Sequence, residues 1–153
     1  MLKMPELKYV SYKDGRLAYR EAGKGPDLFF LHGMNGSSRS WFHIFEVLAP
    51  SFHVVAWDAP RFGASDVFGD KIEDYVDAAK ALMQAVEIRK AIVIGHSMGG
   101  VIATQLAADR ECSTAGLVLS STHLGFGLPA SAPLMERYAT RIDNIESEGV
   151  NTA

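Results

Sequence analysis

An α/β fold, with a mostly parallel sheet and helices on both faces, is predicted by three features of this 153-residue chain. Short, continuously apolar runs recur along it, amphipathic helical patterns separate them, and a pair of alternating segments stands at its start. Continuously apolar runs are strands buried on both faces, as a sheet covered above and below by helices requires.

The opening pair is Lys8 to Tyr12 and Arg16 to Arg20, with Asp14-Gly15 as the hairpin turn signal between them. The Gly23 to Pro26 stretch breaks the alternation, and Asp27 to Leu31 (DLFFL) is the first buried strand. Phe52 to Trp57, Ala91 to Ile94 and Ala115 to Ser120 are the next three. Between them, Trp41, Ile44, Phe45 and Leu48 recur at helical spacing, and Pro50 closes that segment. Ile72, Tyr75, Val76, Ala79, Leu82, Met83 and Val86 form a longer stripe, and Met98, Ile102 and Leu106 a third. These sequence elements form a core over residues 1–121. Residues 122–153 are predicted to be a linker (THLGFGLPASAP) and a further helix with Leu134, Tyr138, Ile142 and Ile145 on one face.

Composition narrows the function without naming it. The chain is 48% hydrophobic and 22% charged, and 15 Lys+Arg against 18 Asp+Glu give a net charge of −3. No basic stripe forms, so neither nucleic acid nor an anionic membrane is an expected partner. Cys112 is the lone cysteine, which excludes an internal disulfide and argues against a cysteine-based metal site. No His-x-x-x-His spacing suggests a metal either. The first residues lack the apolar core of a secretion signal, and no apolar run is long enough to span a bilayer. A reducing cytoplasm is the expected compartment.

The chemistry lies in Gly95-His96-Ser97-Met98-Gly99. A bare G-x-S-x-G is weak. Here it stands between a buried-strand pattern and an amphipathic helix, the setting of a nucleophile elbow. Glycine at 95 and 99 gives the clearance that the sharp turn demands, and Gly100 extends it. The corner lifts the Ser97 hydroxyl to a helix N-terminus, where backbone N–H groups favour developing negative charge. A plain serine N-cap needs no glycine two residues before it. The second motif is His32-Gly33-Met34 at the end of the first buried strand. A loop there sets the Met34 N–H beside the Met98 N–H as an oxyanion hole, each donor worth roughly 2.7–4 kcal/mol in the transition state.

Together with Asp58 to Asp66 (DAPRFGASD), these motifs resemble the N-terminal part of an α/β-hydrolase of the esterase, lactonase and epoxide-hydrolase group. The tail from Arg137 to Gly149 is similar to the start of the cap helices in 3-oxoadipate enol-lactonase-like members. The resemblance implies acyl transfer on a small ester, lactone or related carbonyl substrate, with Ser97 as nucleophile and no cofactor. Serine at 97 argues against epoxide hydrolases and haloalkane dehalogenases, which need aspartate there. Carbon–carbon bond hydrolases, perhydrolases and a catalytically inactive binding domain stay open.

Two departures carry expectations of their own. Family members usually have glycine where this chain has Arg61, so either a positive φ there strains the turn or Pro60-Arg61 adopts a different turn. The family's fold has eight strands and its triad runs Ser, then Asp or Glu, then His. Six strands are legible here, so the chain reads as truncated before the last two, without the triad acid and histidine. His123 is the one histidine after Ser97; with Glu136 or Asp143 it would form a reordered triad, but a pocket or cap-hinge role is favoured, and Phe126 joins it as a candidate pocket residue. His32 and His96 flank the motifs, His43 and His53 serve packing or surface, and Asp58 hydrogen-bonds its turn. The apolar, uncharged strand 115–120 would be an exposed edge that favours self-association.

Overall fold

The computed structural model describes residues 4–110 and 112–122. Among the described residues six strands form one sheet in the order β1-β2-β4-β3-β5-β6. They are β1 (Lys8–Tyr12), β2 (Gly15–Ala22), β3 (Asp27–Leu31), β4 (His53–Trp57), β5 (Ala91–His96) and β6 (Thr114–Ser120). The helices are α1 (Phe42–Leu48), preceded by a 3₁₀ turn over Ser38–Trp41, α2 (Ile72–Ala85) and α3 (Met98–Ala108). β1 and β2 pair antiparallel, as do β2 and β4, while β3, β4, β5 and β6 run parallel.

The opening hairpin is shifted from its predicted turn. Tyr12 pairs with Gly15, so Lys13 and Asp14 form the two-residue loop and Lys13 takes the positive φ of 51°. Gly15 is already in the strand.

Alternation along the buried strands sends their side chains to two cores. Phe29, Leu31, Val55, Trp57 and Val93 pack on one face with Leu82 of α2 and Ile102 and Leu106 of α3. Leu28, Phe30, Val54 and Ala56 pack on the other with Phe45 of α1. The split follows from the handedness of parallel crossovers. The chain moves from β3 outward to β4 in one direction, through α1. It returns past β3 to β5 through α2 and continues to β6 through α3, so these two helices fall on the opposite face. β3 and β5 are therefore adjacent strands whose following connections leave in opposite directions. The crevice beyond their carboxyl ends is where such sheets hold ligands.

β6 pairs with β5 at the end of the sheet. Leu117, Val118 and Leu119 are 38%, 49% and 45% exposed, in contrast with the fully buried Val93 on β5. No helix among the described residues is long and apolar enough to cross a membrane.

Candidate active site

Ser97 occupies the bend between β5 and α3 at φ 51°, ψ −116°. An L-residue held there costs about 1–3 kcal/mol and persists only where its surroundings over-determine it. It stands at the N-cap position of α3, yet its side chain makes no capping hydrogen bond. The hydroxyl is thus not consumed by the helix it begins. The bend is tight enough that a Cβ on Gly99 would lie 2.1 Å from the Leu31 carbonyl oxygen, and one on Gly95 would lie 2.4 Å from the Gly99 carbonyl. At Gly100 the space is filled by Thr122, whose Cβ and Oγ1 both lie 2.5 Å from where a Cβ would stand.

The loop after β3 reaches the same place. A Cβ on Gly33 would come within 3.1 Å of Ser97 Cβ and 3.1 Å of His96 Cδ2. Its conformation is fixed by His32, which is buried. The Ala59 N–H donates to His32 Nε2 at 2.9 Å, so the ring proton is on Nδ1, which donates to the Gly33 carbonyl at 2.7 Å. The Gly36 N–H donates to that same carbonyl at 3.0 Å. Carbonyl and N–H point opposite ways across a trans peptide, and the chain has no cis bond among the described residues. Pinning the Gly33 carbonyl against His32 therefore turns the Met34 N–H to the other side. Burial pushes the His32 imidazole below its ordinary value, against the hydrogen bond to Gly33 and the charge of Asp58. The neutral tautomer that the two hydrogen bonds require is favoured by its surroundings.

Asp58, also buried, ties the neighbouring turns. Its carboxylate accepts the Ser38 N–H at 2.6 Å and the Ala64 N–H at 2.8 Å. The Ser65 hydroxyl donates to the Asp58 carbonyl at 2.5 Å and accepts from the Ala18 N–H at 2.8 Å. Both oxygens of Asp58 are thus committed to backbone amides, the turn-bonding role expected from its position. Arg61 has φ 77°, so the arginine standing in place of the family's glycine is in the left-handed region.

Gly33, Met34, Trp41, Ser97, Met98 and Thr122 all line one open cleft of about 1020 Å³. The structure thus brings Ser97, Met34, Met98, His32, Gly33 and the elbow glycines together. His123 and Phe126 lie outside the described residues, as do Leu128, Glu136, Asp143 and the helix expected over 134–145. Among the described residues no imidazole hydrogen-bonds the Ser97 hydroxyl. His96 is exposed, with Nδ1 3.4 Å from Ser120 Oγ. His43 is on the surface of α1 beside Glu46. His53 does more than pack: its Nδ1 lies 2.7 Å from Asp27 Oδ1 and its Nε2 3.1 Å from Glu21 Oε2. This cluster is at the amino ends of the parallel strands, away from the cleft. No group of three or more His, Cys, Asp or Glu side chains among the described residues is arranged to hold a metal ion.

Sequence reasoning missed Thr122, which it placed at the start of a linker. Its hydroxyl donates to the Ser97 carbonyl at 2.6 Å. The only signal for it in the sequence is the third glycine of the elbow, for which a plain G-x-S-x-G motif has no use.

Comparison with known proteins agrees with this fold. The model of a family described as alpha/beta hydrolase fold matches residues 26–145. A 2-hydroxy-6-oxo-6-phenylhexa-2,4-dienoate hydrolase of Comamonas testosteroni is 29% identical over 139 residues, 86% of this chain and 48% of that protein. Among solved structures, the epoxide hydrolase CorEH is 26% identical with a TM-score of 0.79, over 92% of this chain and 50% of its own. The N-acyl homoserine lactonase AidH is 30% identical with a TM-score of 0.69, over 76% of this chain and 45% of its own. This chain spans about a third to a half of the length of the curated relatives it matches.

Proposed function

Because the chain belongs to the alpha/beta hydrolase fold family, we propose that it carries the nucleophile half of a serine hydrolase acting on a carboxylic ester, lactone or related acyl substrate. The observation that carries the reading is the Ser97 backbone, strained at φ 51°, ψ −116° in an open cleft with its hydroxyl unused by the helix. Strain of this kind is retained where a side chain must be presented at a fixed angle.

In the proposed reaction the Ser97 oxygen attacks the carbonyl carbon and a general base takes its proton. The negative charge passes to the carbonyl oxygen, which the Met34 and Met98 N–H groups receive. Support for that pair is the pinned Gly33 carbonyl, which turns the Met34 amide away from His32, and the place of Met98 as first residue of α3. Collapse expels the alcohol and leaves an acyl-serine, which water hydrolyses with the same groups. The general base and its acid partner come from outside the described residues, where His123 is one candidate. No cofactor enters this scheme. A serine at 97 separates the chain from hydrolases that attack through aspartate, and likeness to an N-acyl homoserine lactonase supports an acyl carbonyl as the target.

A fluorophosphonate probe tests the assignment. Labelling of Ser97, located by peptide mass, and its loss in Ser97→Ala are expected. In the complete enzyme the same substitution is expected to lower kcat roughly 10⁶-fold, the scale seen when a serine nucleophile is removed. Labelling that survives Ser97→Ala would overturn the reading.

A further inference from the structure

Both peptide groups of Ser97 are held by the carboxyl end of β6. The Ser97 N–H donates to the Ser120 carbonyl at 2.9 Å. The Ser97 carbonyl accepts the Gly100 N–H at 2.9 Å and the Thr122 hydroxyl at 2.6 Å. Between these contacts Ser121 takes φ 49°, which reverses the chain and brings Thr122 back over the first turn of α3. There the threonine side chain occupies the space that a Cβ on Gly100 would need.

We propose that Thr122 is a positioning residue for the nucleophile, its hydroxyl bond to the Ser97 carbonyl holding the elbow in its strained form. This inference rests on reading Ser97 as the nucleophile. A strained residue relaxes by rotating the peptides on either side of it, so each bond to those peptides opposes relaxation. Two of these bonds are backbone to backbone and arise from the fold alone. Thr122 supplies the third, and it is the one side chain among the described residues that bonds either peptide of Ser97. A threonine suits the place on two counts. Its hydroxyl is the donor, and its methyl and Cβ fill the recess above Gly100 so that the hydroxyl is held in one orientation. The bond also restrains the carbonyl at the start of α3, next to the Met98 amide, so losing it loosens nucleophile and oxyanion donor together.

Thr122→Val keeps the shape and removes the donor, whereas Thr122→Ser keeps the donor. In the full chain, exchange of the hydrogen-bonded amides of Ser97 and Gly100 is expected to speed up about tenfold in Thr122→Val, with β3 amides unchanged. Fluorophosphonate labelling of Ser97 is expected to slow about tenfold in the same variant, through its rate at saturation and not through reagent affinity. Thr122→Ser is expected to restore both. Labelling of Thr122→Val at the wild-type rate would overturn the positioning role, as would a serine variant no better than the valine one. A wild-type chain that does not label at Ser97 would instead sink the nucleophile assignment. Exchange still decides the elbow in that case, and unchanged exchange in Thr122→Val overturns the proposal.

Discussion

The two ends of the parallel strands treat polar groups in opposite ways. At the amino ends, Lys8, Glu21, Asp27 and His53 come from four different strands and pair with one another, Lys8 Nζ donating to Glu21 at 2.9 Å and the His53 ring lying between Glu21 and Asp27. At the carboxyl ends, the Ser97 hydroxyl and the Met34 and Met98 N–H groups make no hydrogen bond within the described residues, and non-glycine residues at 35, 97 and 121 adopt positive φ. One end is closed by mutual neutralisation and the other is held open at a cost in strain. The difference shows that the open end is not simply where the sheet happens to finish. Strands β1 to β4 supply enough charged side chains to satisfy one another at the closed end.

The largest blow to the open end is a methyl group. Gly99→Ala places a Cβ 2.1 Å from the Leu31 carbonyl, a backbone atom that cannot rotate aside. Either α3 or β3 must move. A loss of about 3 kcal/mol in stability is expected, the upper part of the usual range for overpacking, together with loss of probe labelling at Ser97. Thermal unfolding of the variant measures the first effect. A variant as stable as the wild type would mean that the elbow is looser than its contacts indicate.

Protons separate the two ends more gently, in different pH windows. His32 has its folded value lowered by burial from 6.5. Its contribution is fully present above 6.5 and is lost as pH falls from there through the folded value. Glu21 behaves the same way lower down. Burial pushes its carboxyl up, but hydrogen bonds from Lys8 and His53, with the charges of both, outweigh this and hold it below 4.5. Its contribution is present above 4.5 and disappears as pH drops through the folded value. Melting temperature followed against pH is therefore expected to fall in two stages, the cleft end first. His32→Gln is expected to flatten the upper stage and Glu21→Gln the lower. A His32→Gln profile that still falls below pH 6.5 as steeply as the wild type would remove His32 as the titrating lock on the Gly33 carbonyl.

How much of this was legible in the sequence follows the same division. The open end is encoded by contiguous residues. Gly95 to Gly100 and His32 to Gly33 are short motifs whose glycines report close approach, and DLFFL and AIVIG report strands buried on both faces. The closed end carries no such signature. Lys8, Glu21, Asp27 and His53 are scattered over 46 residues and meet only because four strands are in register, so His53 read as a packing or surface residue. Thr122 was hidden for a related reason. Its bond to Ser97 spans 25 positions and depends on the reversal at Ser121. Local pattern shows which segments form strands and helices. Contacts made by one side chain across the sheet need the register, and register is decided by packing.

The smallest expected effect isolates the strain itself. Ser97→Gly removes the hydroxyl and the Cβ together, and glycine populates positive φ without the steric penalty that serine carries at 51°. Releasing that penalty favours the folded state, while the greater freedom of glycine in the unfolded chain opposes it by roughly 0.5–1 kcal/mol. With about 1–3 kcal/mol stored at such a residue, the balance is a net gain of about 1 kcal/mol. Ser97→Ala keeps the Cβ and so keeps the strain, which makes it the proper reference. Denaturant unfolding of the two variants side by side is expected to find glycine more stable than alanine at 97. Where φ is negative alanine is the more stable of the two, so an alanine variant at least as stable as the glycine one would show that the bend at 97 is relaxed, and that the open end of the sheet costs the fold nothing.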